Sequence, residues 1–223
     1  MGINLLFNSD DISPELDYWF TGPRYYSPSD LVADPTIEIK DGLRLFNFKG
    51  TASKVVSVFM PNDGCLWVID PNYALTPEKI SQLTYYGEIT NQDQIVDIEA
   101  QPNHLSKIID TGPQTTWCYF FEKGDLAQSK GNYEEAVVYY EKAVANQFSP
   151  FKAVELMPFV KAYAHLGRIE EAVELTSQAF NLSADANPSI CQVWHDVLSE
   201  NSAILLSSVE TVYNSQNCSI LEP

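Results

Sequence analysis

Three histidines and four cysteines are the side chains best suited to metal or nucleophilic chemistry in this chain, and their spacing argues against both uses. His104, His165 and His195 share no helical turn, so the pairing that aims two imidazoles at one zinc ion is absent. Cys65, Cys118, Cys191 and Cys218 offer no C-x-x-C spacing. A free cysteine in the strand pattern around Cys65, or in the helical pattern around Cys118, reads as a small buried hydrophobe, and the redox compartment stays open. Nucleophile elbow, phosphate loop and dinucleotide fingerprint are all missing. Glu134-Glu135 and Glu170-Glu171 are adjacent carboxylates, but each pair opens a helical pattern. There they complement the helix dipole and remain solvated rather than dividing general acid and base work. His165 falls at the end of a helical pattern, where the dipole favours imidazolium, and this too is a structural role. The expectation is a non-enzyme with no metal and no other cofactor.

Charge narrows the partners. Thirty acidic residues against thirteen basic ones give −17 at pH 7, which repels nucleic acid and anionic membranes at long range. The first 110 residues carry 16 acidic and 7 basic side chains and the remainder 14 and 6, so the charge is spread rather than gathered in a tail. No apolar run reaches the roughly 18 residues a membrane helix needs. No basic segment precedes the apolar Ile3 to Phe7, so a secretory signal is not read there, and Leu6 breaks the myristoylation pattern. Asn181-Leu182-Ser183 and Asn217-Cys218-Ser219 match the glycosylation pattern, which matters only in a eukaryotic secretory setting.

The elements that would position any site fall into two halves. Residues 1 to about 35 are rich in proline and aromatics and read as irregular chain packed on other structure. Four runs then have strand character: 36–40, 43–48, 54–60 and 65–70. Asp41-Gly42 between the first two suits a type I′ hairpin turn, and residues 61–64 suit a longer hairpin loop, giving a small antiparallel meander. Thr76-Pro77-Glu78 signals a short helix and Asn91 another brief turn. The chain then breaks around Thr111-Gly112-Pro113, which places a domain boundary near 111–115.

Beyond it lies an internal repeat. Gly131, Glu134, Glu135, Ala136, Val137 and Ala143 recur 36 residues later as Gly167, Glu170, Glu171, Ala172, Val173 and Ala179. A helical pattern precedes each glycine, so the unit is helix, tight turn, helix. Asn187 and Pro188 begin a further amphipathic helix carrying Ile190, Val193, Trp194, Val197 and Leu198, and Ile204, Leu205, Val209 and Val212 suggest another after it.

These residues resemble the tetratricopeptide repeat over residues about 117–182, with Ala136 and Ala172 at the close helix crossing and Phe120 and Gly124 on the opening helix. Lys123 and Thr176 depart from the family pattern, standing where it usually has Leu and an aromatic. The fold class expected is α+β: a β-containing domain at 1–112, then a helical stack at 113–223 with C-terminal caps. The resemblance implies a module that takes a protein or peptide partner along the first helix of each unit. Phe121, Asp125, Gln128 and Ser129, then Met157, Lys161, Ala164 and His165, are the inward candidates. The alternative is that this face packs on the chain's own caps. Residues 116–136 also resemble C-terminal soluble regions of bacterial multi-span membrane proteins of glycosyltransferase-like type. That likeness implies an extracytoplasmic accessory domain whose transferase chemistry lies elsewhere, whereas a free-standing chain would be cytoplasmic. A carbohydrate or small-molecule cleft lined by Trp19, Tyr25, Tyr26 and Trp67 is a third reading.

Overall fold

The computed structural model describes residues 15–16, 27–43, 46–59, 63–69, 86–95, 116–183, 186–200, 209, 212 and 218. It divides the chain into two compact units, one of residues 1–58, 68–72 and 82–114 and one of residues 59–67, 73–81 and 115–223. Strands precede a run of helices, and the class is α+β.

In the first unit, Pro28 opens a short helix, α1 (Pro28–Ala33), at the position where its missing N–H is harmless. β2 (Glu38–Leu43) and β3 (Phe46–Thr51) pair antiparallel, and β1 (Glu15–Leu16) joins the far side of β3 in parallel. Leu31, Ile39 and Ala52 form the buried cluster, with Ile37, Phe48, Val55 and Ile89 packed against it. The Asp41-Gly42 hairpin turn is not formed. Both residues lie within β2, opposite Phe48 and Asn47, and the ladder closes at Leu43 and Phe46. This register places Gly50 opposite Ile39. There the Phe48 ring folds over the glycine so closely that a Cβ would lie 2.7 Å from its Cζ. Glu38 reaches both Lys40 (2.6 Å) and Lys49 (2.8 Å), which face each other across the ladder. Burial of one sheet face has overridden a two-residue turn preference.

The four-strand meander is also corrected. Ala52–Lys54 is a 3-10 turn, and the later runs shrink to β4 (Val58–Phe59) and β5 (Trp67–Val68), which form a separate two-stranded sheet. β1 lies in the stretch expected to be irregular. The brief turn at Gln92–Gln94 forms with the Asn91 side chain accepting from the Asp93 N–H. The helix read from Thr76 and the break at 111–113 lie outside the described residues, apart from a helical 86–88.

The second unit carries α2 (Trp117–Ser129), α3 (Tyr133–Ala145), α4 (Met157–His165), α5 (Ile169–Leu182) and α6 (Asn187–Glu200). Helices α2 and α3 pair as one hairpin and α4 and α5 as the next, while α4 also packs on α2, α3 and α6. Thr116 caps α2 by accepting from the Tyr119 N–H. Gly131 (φ 76°) and Gly167 (φ 73°) end α2 and α4 in the left-handed conformation. The next N–H in each case, from Asn132 or Arg168, returns to the carbonyl of Ala127 or Tyr163, the Schellman arrangement. Ala136, Ala143, Ala172 and Ala179 are wholly buried, as the close crossing requires. Val209 and Val212 are helical and buried; the rest of the last expected helix lies outside the described residues.

Candidate functional site

The opening helices α2 and α4 carry the candidate face, and its burial is uneven. Phe121 is 0% exposed and Met157 2% exposed, so both are core side chains in this chain rather than offered anchors. Asp125, Gln128 and Ser129 are half-buried, and Ala164 is buried. Lys161 and His165 are taken up by α6: Lys161 Nζ lies 2.9 Å from Glu200 Oε1, and His165 Nε2 3.1 Å from Glu200 Oε2. The Tyr133 ring stacks on His165 with centroids 4.3 Å apart. The chain's own cap therefore covers the second unit's share of the face.

The imidazolium expected of His165 is opposed by its surroundings. Burial holds its pKa below the ordinary value, and Lys161 adds to that effect, against the pull of Glu200. The dipole at a helix end is a small, screened term beside the desolvation of a ring packed under tyrosine.

A second cluster, which sequence reading missed, centres on Glu155. This carboxylate is 0% exposed. Its Oε1 accepts from the Cys65 N–H (3.1 Å), and its Oε2 accepts from Trp117 Nε1 (2.7 Å) and the Phe151 N–H (2.8 Å). Three donors compensate a charge that would otherwise be expensive to bury. Trp117 also meets the rings of Tyr140 and Phe159 edge-on. Phe159 in turn lies against Gly124, where a Cβ would collide with its ring. No local motif announces such a node, because its donors come from residues 65, 117 and 151.

Sequence reading also missed the pairing of all four cysteines. Cys65 bonds to Cys118 and Cys191 to Cys218, so none is a free buried hydrophobe. Their sequence separations, 53 and 27 residues, carry no local signature.

The departure at Thr176 has a structural reason. Its hydroxyl donates to the Ala172 carbonyl (2.8 Å) and accepts from Trp194 Nε1 (3.0 Å). Trp194 of α6 is fully buried and supplies the aromatic mass that the repeat lacks at 176. Arg168 stacks its guanidinium on Tyr163 at 4.5 Å and bonds Glu141 and Glu171. Burial first, then Glu141, pushes the Tyr163 phenol up to about 12.

Among the described residues no group of three histidine, cysteine or acidic side chains could hold a metal ion, and no helix is long and apolar enough to cross a membrane. Trp67 is 6% exposed, while Trp19, Tyr25, Tyr26 and His104 lie outside the described residues.

A family profile for the tetratricopeptide repeat matches residues 119–148, which span most of α2 and all of α3. No curated protein and no solved structure matches the chain. With the hairpin stack, the match identifies a TPR-like repeat, and such repeats support a protein-interaction kind of module.

Proposed function

We propose that the chain is a non-catalytic interaction module that receives a peptide or helix of a partner protein on its helical stack. The observation that carries this is the matched hairpin followed, 36 residues on, by a second hairpin with the same glycine cap and the same buried alanines. Asp125 and Gln128 are the contact side chains in this reading, with the Lys161–Glu200–His165 group as the polar wall beside them. Phe121 and Met157 serve as floor. A photo-crosslinking side chain at Gln128 should capture a partner that the same group at exposed Glu174, on α5, does not. Equal capture from both positions, or none from Gln128, would sink the reading.

One observation favours a second reading, an accessory domain outside the reducing cytoplasm. Stable disulfides are favoured where the thiol pool is oxidising, and the two here take up every cysteine of the chain. Thiol alkylation of protein taken directly from its own cells should leave all four cysteines unlabelled. Complete labelling would remove this reading.

A further inference from the structure

Residues 63–67 belong to the helical unit although they precede it by some fifty positions. Three attachments hold them there. Cys65 is bonded to Cys118 in the first turn of α2. The Cys65 N–H donates to Glu155 Oε1 at 3.1 Å. Asp63 pairs with Lys152 at 2.9 Å. Cys118 and Glu122 stand one helical turn apart on the same face of α2, and Phe121 beside them is fully buried. A non-helical stretch thus lies along an opening helix of the stack, with one of its backbone N–H groups taken by the buried Glu155 carboxylate. A main-chain donor held by a fixed acceptor is one of the ways a groove holds an extended peptide.

We infer that residues 63–67 are a built-in occupant of this face, latched by Cys65–Cys118, and that reduction releases them so that Glu155 can receive an extended segment of a partner through a backbone N–H group. The partner segment would carry a small apolar residue in the place of Cys65 and an aromatic in the place of Trp67. The step needs a dithiol reductant. Its thiolate attacks Cys118 Sγ, since Cys118 is half-buried whereas Cys65 is only 1% exposed. Cys65 leaves as thiolate and takes a proton. The reductant's second thiol then displaces Cys118, which is protonated in turn, and the reductant ends as a disulfide. Two electrons and two protons pass to the protein. The inference rests on the interaction reading above and adds to it a ligand class and a control.

The test compares the oxidised full chain with the full-length double variant Cys65→Ser, Cys118→Ser, which keeps the other disulfide. Hydrogen exchange should show protection of residues 63–67 falling at least tenfold in the variant, with protection of α2 to α6 kept. A synthetic peptide of residues 61–69 carrying Cys65→Ser should then bind the variant at least ten times more tightly than it binds the oxidised chain. Unchanged protection at 63–67, or its loss together with that of the helices, overturns the latch, because the segment is then core, and leaves the interaction reading standing. Release without any gain in peptide binding overturns both the latch's purpose and the reading of this face as a peptide site.

Discussion

Phe121 shows how a single position can be placed correctly by pattern and still mean something else. Helical spacing sets it on the inward face of α2, but a side chain with no exposed area is part of the packing. Phe121→Ala should therefore cost about 3–5 kcal/mol in chemical denaturation. A loss below about 1 kcal/mol would return the residue to the list of exposed anchors. His165 makes a second residue-scale test, through pH. Its folded pKa is depressed, so below the ordinary value of about 6.5 the unfolded chain takes up a proton that the folded chain refuses. The stability linked to the neutral ring is present above that pH and is lost as pH falls. The difference in unfolding free energy between wild type and His165→Gln should shrink from pH 7 to pH 5. A constant difference would show that the ring titrates alike in both states.

Helix ends and crossings were the most legible elements, because their requirements are local. A glycine followed by two glutamates and an alanine states a left-handed cap, a negative first turn and a close crossing in six residues, and all three appear at both units. The Asp41-Gly42 turn was equally local, yet it lost to the pairing of six residue pairs between β2 and β3. Glu155 and the two disulfides were not legible at all. Each joins residues whose proximity exists only after the chain has folded, and no spacing rule encodes that. Two predictions belong at this scale. A Cβ on Gly131 meets nothing within 4 Å, so Gly131→Ala is opposed only by its positive φ and should cost roughly 1 kcal/mol. The reverse holds at the end of α3, where Gln147 adopts φ 61° with Phe148 N–H returning to the Ala143 carbonyl. Gln147→Gly should stabilise by a few tenths to about 1 kcal/mol. Equal effects of the same sign in the two variants would mean that φ is not what limits either cap. At the crossing itself, Ala136→Leu should overpack the hairpin by about 1–3 kcal/mol, read as a shifted urea midpoint.

Across the whole chain, a charge of −17 with acidic residues throughout opposes compaction by self-repulsion, while two units must each close a modest core. Covalent closure offsets that opposition without adding apolar surface. Cys191–Cys218 ties α6, whose buried Trp194 donates to Thr176 of α5, to a position 27 residues further on. By constraining the unfolded chain over a loop of that length, the bond should contribute about 3–4 kcal/mol. The double variant Cys191→Ser, Cys218→Ser should therefore unfold at lower temperature. Its deficit should be larger at low ionic strength, where the net charge is least screened and no cross-link restrains the expanded chain. If the deficit proves independent of salt, repulsion and cross-linking act on separate parts of the chain. The disulfide would then hold α6 in place locally rather than limiting the expansion of the unfolded state.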